Sequence, residues 1–426
     1  MSKYIYGIDF GTTNSALAIF DQESNKVIKL FSTPSLLFFP EIQNRSVFET
    51  FFVGEQAIQE YVQSRMKGRF LKSIKKVLPN KSFIDTKIGN KRYKAEDLVA
   101  LILLHLKKQA DEFLGETIDR AIFGRPVVFD VVEEKDKLAQ ERLSKAARLA
   151  GFETFYFQME PVGAAFAYER QIAKEEIVLV ADFGGGTSDF SLMKLNPEAV
   201  NNTDRKGDMI AQGGIYIGGD SFESDIMWSK GTPHFGRGVK EQFSMGKWLD
   251  LPLTYFTSIC SWEKMNFLDS LRMKTNIAKS YFLSGNDVRV KNLQTLIADN
   301  LGYVLFKEIE RVKIELTEKD SSLFEFNRNE IELSEKIDLA DFETEIIHKN
   351  LGSIEAYLET FLQENNIDKN QVDVVFMTGG TSQVRPLKNM FIRHFGQEKI
   401  KSGDNFYSVA TGLAYSSLVF MKPETA

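Results

Sequence analysis

The chain has 426 residues, with 53 Lys and Arg against 59 Asp and Glu, and it contains a single Cys. Hydrophobic residues make up 43% and charged residues 26%, a balance that is typical of a folded protein and excludes a disordered or fibrous one. One Cys excludes an intramolecular disulfide framework and a four-cysteine zinc site. The net charge of −6 argues against binding through overall charge to nucleic acid, so we expect no nucleic-acid partner.

The sequence shows no pattern that would direct it into a membrane. Its first residues, MSKYIYGIDFG, lack the charged and long apolar regions of a signal peptide. The longest apolar run, Leu98–Leu104, is far shorter than the ~20 residues that a membrane-spanning helix requires. We therefore expect a cytoplasmic protein with no membrane partner.

The first part of the chain alternates short strands with helices. Tyr4–Asp9 and Ala16–Phe20 are apolar runs joined by a glycine turn, which predicts two antiparallel strands. Helical periodicity follows over Glu55–Val77 and again over Ala95–Phe113. The next predicted elements are, in order, strand Ala121–Phe123, helix Lys135–Ala150, strand Phe155–Gln158 and helix Pro161–Glu169.

The opening pattern then recurs. Strand Ile177–Ala181 ends in Asp182 and turns back through Gly184–Thr187, as the first strand ends in Asp9 and turns back through Gly11–Asn14. Aligning the two Asp residues, which are 173 positions apart, places IYGIDFGTTNSAL over VLVADFGGGTSDF. Because this separation is too long for a solenoid repeat, we expect an internal duplication that gives two lobes of similar topology facing each other.

The last part of the chain begins with an irregular segment. Residues 222–330 give the least regular pattern, with a helix expected over Leu293–Thr317. The remaining predicted elements are, in order, helix Phe342–Leu362, strand Val372–Met377, a third glycine turn at Thr378–Ser382, helix Pro386–Phe395 and helix Val409–Phe420.

The glycine turns point to phosphate chemistry. A Gly-rich turn after a strand lets backbone N–H groups approach phosphate oxygens, because no Cβ is in the way. Two such turns could hold a polyphosphate from both sides, and the third could follow the nucleoside. The carboxylates of Asp9 and Asp182 would repel the phosphates unless a hydrated Mg²⁺ lay between them. A single glycine turn is most often a plain hairpin, but three with a shared pattern favour nucleotide binding.

These motifs resemble the nucleotide-binding domain of the heat shock protein 70 (DnaK) chaperones, in the same order and over almost the whole chain. Within that family the chain looks closest to the short, YegD-like members, which share the sequence Gly124-Arg125-Pro126. The motifs are IDFGTTNS from Ile8, MEPVGAAFAY from Met159, ADFGGGTSDFS from Ala181, IGGDSFESDI from Ile217, ERVKIELT from Glu310 and TGGTSQV from Thr378.

The resemblance implies an α/β protein with the actin-like, ribonuclease-H-type fold. Two lobes, each with a mixed β-sheet and flanking helices, would surround a nucleotide cleft. Lobe I would comprise residues 1–173 and 403–426 with a subdomain at about 38–114, and lobe II residues 174–402 with a subdomain at about 222–337. The predicted closing helix lies just before Ala426, so we expect no substrate-binding domain.

The resemblance also implies the site residues. Asp9, Asp182 and Glu160 would hold Mg²⁺, largely through water. Catalytic roles fall to Lys75, Glu160, Asp182 and Thr187. The residues that would contact ATP or ADP are Gly11, Thr12, Thr13, Asn14, Gly184, Gly185, Gly186, Thr187, Gly218, Gly219, Glu310, Lys313, Thr317, Gly379, Gly380 and Thr381.

Several of these assignments have alternatives. A shift of register would give the catalytic role to Lys72 or Lys76, which flank Lys75. Glu160 could instead be a carboxylate that faces solvent at the end of a strand. Glu310 is three residues before Lys313, so the two could form a surface ion pair on one helix.

The expected function is that of a chaperone-like ATP-binding protein. It would hydrolyse ATP slowly with Mg²⁺, and its lobes would close on the nucleotide and signal to a separate client or co-chaperone. The family's linker-coupling and adenine-stacking arginines correspond to Gln140 and Gln383, so coupling to a fused domain is not expected. The alternative is a small-metabolite kinase of the same superfold, although only Glu160 is a candidate base. An actin-like filament former is disfavoured because the motifs are of the chaperone kind.

Overall fold

The structure is a computed structural model that describes residues 2–41, 50–64, 66–202, 204–403 and 407–421. It divides into two compact units. The first comprises Met1–Gly219, Ile354–Ser382 and Lys388–Ala426, and the second Asp220–Ser353 and Gln383–Leu387.

The first unit contains two five-stranded sheets of the same topology. In each sheet three strands pair antiparallel in chain order, a fourth strand pairs parallel with the first of them, and a fifth pairs parallel with the fourth. One sheet has the order Thr154–Met159, Arg120–Arg125, Tyr4–Phe10, Asn14–Asp21, Lys26–Pro34. The other has the order Met209–Ile215, Ser188–Leu195, Glu176–Phe183, Val374–Thr378, Ile400–Ser402. The internal duplication predicted from the sequence is therefore confirmed at the level of sheet topology.

Two short helices lie between these sheets. Glu160–Glu169 and Ser408–Tyr415 cross each other and pack on the central strands. Ile5 of the first sheet and Val180 of the second belong to one buried apolar cluster with residues of both helices. Because helices cover these strands, their sequences are nearly continuous apolar runs rather than alternating ones.

The remaining elements of the first unit surround this core. The helices are Gly54–Gln63, Ala95–Leu114, Glu133–Leu149 and Ser417–Phe420. A small sheet is formed by Leu37–Pro40, Phe52–Val53 and Gly68–Leu71, and a hairpin by Thr86–Ile88 and Lys91–Tyr93.

The helix predicted over Glu55–Val77 is wrong beyond Gln63. The chain there forms strand Gly68–Leu71 and a 3-10 turn over Ile74–Val77. Ser73 has a φ of +59°, a left-handed conformation that interrupts a helix and aims the following turn in a new direction. Similarly, the predicted helix Val409–Phe420 is interrupted at Ser416.

The second unit is mainly helical. The helix predicted over Leu293–Thr317 is in fact two helices, because Asn300 adopts a φ of +53° between them. The helices of the second unit are Leu253–Ile259, Trp262–Met265, Leu271–Leu283, Val288–Ala298, Gly302–Glu318 and Leu339–Asp341. Its two hairpins pair Lys240–Ser244 with Lys247–Asp250 and Ser321–Arg328 with Ile331–Asp338. Helices Gly219–Ile226, His348–Glu364 and Arg385–Phe395 contain residues of both units.

In the described part of the chain, no helix has both the length and the apolar character needed to cross a bilayer.

Gly412 sets how closely the two central helices approach. A Cβ at this position would lie 1.5 Å from the carbonyl oxygen of Gly163 on the crossing helix. Gly412→Ala should therefore lower the free energy of unfolding by about 2–3 kcal/mol, since one helix must shift to admit the methyl group. Urea denaturation of the purified chain measures the change.

Thr411→Ala is the matched control, because it places alanine at the neighbouring position of the same helix without adding an atom. We expect it to change the free energy of unfolding by less than about 1 kcal/mol. Equal effects of the two substitutions would contradict the steric account of Gly412.

Candidate functional site

Four carboxylates converge in the first unit at the ends of its central elements. Asp9 lies near the end of strand Tyr4–Phe10, and Asp182 near the end of Glu176–Phe183. Asp189 is paired with Asp182 across the second hairpin. Glu160 is the first residue of helix Glu160–Glu169 and is 6% exposed, while Asp182 and Asp189 are 7% and 2% exposed. We call these four residues the carboxylate cluster.

Lys75 enters this cluster and pairs with Glu160. Its Nζ donates a hydrogen bond of 2.7 Å to Glu160 Oε1, and its side chain is only 11% exposed. The left-handed Ser73 precedes the 3-10 turn Ile74–Val77 that carries the lysine. Glu160 is held at the start of its helix, where Pro161 suits the first turn and a negative charge is favourable. The pairing thus joins two elements that are 85 residues apart in the sequence.

Burial changes the acidity of the cluster. Burial, reinforced by the charge of Glu160, raises the pKa of Asp9 to about 7, and the charge of Lys75 opposes this shift. The same two causes raise the pKa of Asp189 to about 7, although hydrogen bonds from Thr187 and Val127 partly offset them. The pKa of Asp182 is raised well above its usual value, first by burial and then by the neighbouring carboxylates.

The lysine responds in the opposite sense. Burial alone would lower the pKa of Lys75, but the charges of Glu160 and Asp9 outweigh burial and raise it above its usual value. Lys75 is therefore positively charged at neutral pH. Because Lys75 pairs with Glu160, one ammonium group serves four carboxyl groups, and a cation beside the cluster would favour the ionised forms of Asp9, Asp182 and Asp189.

The donor set fits a hydrated Mg²⁺ better than a directly ligated metal. Among the residues that the structure describes, no three His, Cys, Asp or Glu side chains are grouped so that they could hold a metal ion by themselves. Mg²⁺ typically keeps several waters and binds through one or two carboxylates together with phosphate oxygens. The hard oxygen donors of the cluster suit that arrangement.

The first two glycine turns lie next to each other beside the cluster. A Cβ placed on Gly186 would be 3.4 Å from Thr12 Oγ1 and 3.5 Å from Lys76 Cε. The Ser35 hydroxyl donates a hydrogen bond of 2.8 Å to the Gly11 carbonyl, which fixes the first turn. Lys76 thus lies against the second turn, while Lys75 reaches the carboxylates.

The third glycine turn and the Gly218–Gly219 pair both contact the second turn. The Gly184 carbonyl accepts hydrogen bonds from the Gly219 N–H and the Thr381 hydroxyl, each at 3.0 Å. Gly379 has a φ of +80°, and a Cβ there would lie 2.8 Å from Asp182 Oδ1. Only glycine fits at this position, so the third turn is pressed against the end of the strand that carries Asp182.

The predicted adenosine-contacting helix belongs to the second unit. Glu310, Lys313 and Thr317 all lie on helix Gly302–Glu318. Lys313 Nζ donates to Glu223 Oε1 at 2.5 Å in a largely buried pair, and Glu310 pairs with Lys307 at 2.8 Å. The structure therefore gives Lys313 a partner other than the Glu310 considered from the sequence, and the proposed contact of this helix with nucleotide stays a prediction.

Asp189 is the member of the cluster that the sequence analysis missed. Its Oδ1 accepts a hydrogen bond of 2.9 Å from the Val127 N–H. The signal was present in the aligned repeats: Asp189 pairs with Asp182 across its hairpin, whereas Ala16 occupies the same place opposite Asp9. The two duplicated motifs therefore differ in charge at this position.

The loop that reaches Asp189 is itself fixed by an arginine. Arg125 donates to both carboxylate oxygens of Asp136, at 2.8 and 3.0 Å, and also bonds Gln140. Asp136 Oδ1 accepts the Phe129 N–H at 2.6 Å. The loop that follows strand Arg120–Arg125 is therefore anchored to helix Glu133–Leu149, and this anchoring positions the Val127 N–H.

Comparison with known proteins gives a consistent result. The sequence model of the Hsp70 protein family matches residues 5–228 and 297–424. The chain is 27% identical over its whole length to the chaperone protein DnaK of Thermosipho melanesiensis, of which it covers 60%. It is 25% identical over 97% of its length to the chaperone protein DnaK of Mycoplasmopsis synoviae, of which it covers 58%. The chain thus spans about 60% of the length of these relatives.

The raised pKa values of the carboxylate cluster predict an unusual dependence of stability on pH. A carboxyl whose pKa is about 7 when folded but about 4 when unfolded binds more protons in the folded state between those values, so its contribution to stability falls as pH rises. Asp189→Asn removes this loss and keeps an oxygen that accepts the Val127 N–H. Without nucleotide or metal, we expect it to stabilise the chain by about 2–4 kcal/mol more at pH 8 than at pH 4.5.

Urea denaturation at the two pH values measures this difference. Glu330→Gln, which neutralises an exposed carboxylate in a hairpin turn, should have an effect that changes little with pH. If Asp189→Asn has the same effect at pH 4.5 and pH 8, the burial of a charged Asp189 is refuted.

Proposed function

The chain belongs to the Hsp70 family and has its actin-like ATPase fold, and we propose that it is a chaperone-like protein that binds ATP and ADP with Mg²⁺ and hydrolyses ATP slowly. The observation that carries this proposal is the buried Lys75–Glu160 pair, surrounded by carboxylates and next to two neighbouring glycine turns. Such an arrangement suits a polyphosphate and its counterion, and it has no evident purpose as packing.

The glycine turns would bind the phosphates. Backbone N–H groups of Gly11–Asn14 and Gly184–Thr187 would donate to the β- and γ-phosphate oxygens, and the hydroxyls of Thr12, Thr13 and Thr187 would add further donors. Lys76 lies against the second turn, at Gly186, and would add positive charge near the phosphates. The turn at Gly379–Thr381 would support the nucleoside.

The carboxylates would hold the metal through water. Asp9, Asp182 and Glu160 are the residues assigned to this role, and Mg²⁺ would supply a counter-charge to the phosphates. Because the carboxylates are buried and poorly neutralised, their ionised forms gain from a cation at neutral pH.

Hydrolysis would depend on two groups held in fixed positions. Lys75, kept charged and oriented by Glu160, would stabilise the negative charge that moves onto the departing phosphates. Asp189 lies in the same cluster, buried and paired with Asp182 across the hairpin, where a carboxylate can accept a proton. We assign it the proton released by the attacking water.

The γ-phosphate would act as the switch. By contacting both Thr13 and Thr187 it would favour a closed state of the site, and ADP, which lacks that group, would favour it less. The output would pass to a separate client or co-chaperone. We also infer a kinship with the short, YegD-like members and a cytoplasmic location, as the sequence indicates.

Titration with ATP and ADP distinguishes the metal role from the bridging role. Asp182→Asn should weaken Mg·ATP binding at least ~10-fold more than it weakens binding of ATP without Mg²⁺, because it removes a metal-facing charge. Thr187→Ala should weaken Mg·ATP more than Mg·ADP, because only ATP has the bridging phosphate. Isothermal titration calorimetry measures two affinities for each variant: those for Mg·ATP and ATP in Asp182→Asn, and those for Mg·ATP and Mg·ADP in Thr187→Ala. Equal weakening in every condition would exclude both roles.

Phosphate release from ATP tests the activity itself. Lys75→Met should lower turnover ~10²-fold or more while leaving ADP affinity nearly unchanged, if the ammonium acts mainly in the transition state. Lys72→Met is the matched control three residues away, and it should leave turnover within ~2-fold of the original chain. Lys76→Met should weaken nucleotide binding instead.

The same assay separates the ATPase from a kinase. Release of phosphate from ATP that does not depend on added small metabolites supports the proposed function. Release or transfer that occurs only in the presence of a metabolite pool would identify a small-metabolite kinase, and unchanged turnover in Lys75→Met would refute the assignment of the lysine.

A further inference from the structure

One segment of the second unit differs from the rest of the chain in charge. Residues 229–296 lie between the two parts matched by the Hsp70 family model. They contain ten Lys and Arg against five Asp and Glu, a net charge of +5, whereas the remaining residues contain 43 against 54, a net charge of −11. A cationic segment in an acidic chain is expected to attract an anionic surface.

The same segment has an exposed apolar hairpin. Strands Lys240–Ser244 and Lys247–Asp250 form a two-stranded sheet of their own, and every residue from Gln242 to Asp250 is exposed. The exposed apolar side chains, with their exposed fractions, are Phe243 at 67%, Met245 at 100%, Trp248 at 51% and Leu249 at 40%. Four large apolar side chains exposed within seven residues favour an interaction site over ordinary surface.

The apolar side chains point in several directions. Trp248 and Leu249 are successive residues of one strand, so their side chains lie on opposite faces of the hairpin, and each pairs across it with a different residue. Met245 is in the turn between the strands. A flat protein surface would cover one face and leave the other in water, whereas the interface of a lipid bilayer surrounds a hairpin tip on all sides.

Two lysines, Lys240 and Lys247, flank the tip together with two carboxylates, Glu241 and Asp250, so the net charge of +5 comes from the rest of the segment. Lys247 Nζ lies 5.4 Å from the centre of the Phe243 ring. Lys240 is opposite Asp250 in the hairpin, but in the described part of the chain neither Lys240 nor Lys247 forms an ion pair with a carboxylate. Trp and Phe beside Lys are the residue types that enter the headgroup region, where the aromatic groups are buried and the ammonium groups meet phosphates.

We propose that the hairpin 240–250 is a docking site for the surface of an anionic lipid bilayer. This replaces the sequence-based expectation of no membrane partner, which rested on the absence of a spanning segment and did not consider contact from one side. The apolar tip would enter the interface, and Lys240 and Lys247 would bind anionic headgroups. The proposal is independent of nucleotide binding, so either can fail without the other.

Vesicle sedimentation tests the proposal. The full chain should sediment with phosphatidylcholine vesicles that contain phosphatidylglycerol, and at least ~10-fold less with vesicles of phosphatidylcholine alone. Replacing Phe243 and Trp248 together by Ser should reduce binding at least ~10-fold, since both apolar side chains leave the interface. Replacing Lys240 and Lys247 together by Gln should reduce it ~10- to 30-fold at low salt, and less at high salt.

Ile84→Ser is the matched control, because Ile84 is 76% exposed in the first unit and lies outside the hairpin. It should leave vesicle binding unchanged, and circular dichroism should show that all variants remain folded. Three results would overturn the proposal: equal sedimentation with neutral and anionic vesicles, binding that the hairpin variants do not alter, or a change of oligomeric mass in those variants. The last would identify a second copy of the chain as the occupant.

Discussion

The ion pair between Lys75 and Glu160 is the interaction on which the arrangement of the site depends. Removing a carboxylate and an ammonium group from water is costly, and a single buried pair returns little of that cost as stability. Here the cost is larger, because Asp182 and Asp189 are buried and Asp9 is half-buried around the pair, and the pKa values of all three are raised. A cluster so poorly neutralised contributes little to folding, which supports its proposed role in binding a cation.

The parts of the site that the sequence predicts are those encoded locally. Each glycine turn lies within a few residues of the strand that positions it, so the motif and its structure coincide. The duplication can be recognised in the sequence for the same reason, since matching strand–turn–strand patterns give matching sheet topologies. The pairing of Lys75 with Glu160 joins distant elements, and only the family resemblance brought these two residues together in advance.

What the sequence did not predict depends on single backbone conformations and on cross-strand register. Ser73 and Asn300 adopt left-handed conformations that end or redirect helices, although neither residue type demands this. Asp189 joins the cluster because the hairpin register sets it opposite Asp182. Hydrophobic periodicity indicates which residues are apolar, but it indicates neither a left-handed backbone conformation nor the register between strands.

The helix Ser408–Tyr415 packs on strand Tyr4–Phe10, and about 400 residues of sequence separate them. During synthesis from the N-terminus, the first strand is therefore made about 400 residues before the helix that covers it. Contacts between such distant segments close late and slow the final step of folding. Until then the apolar surface of the strand is open to other chains, which is the condition under which partly folded chains aggregate.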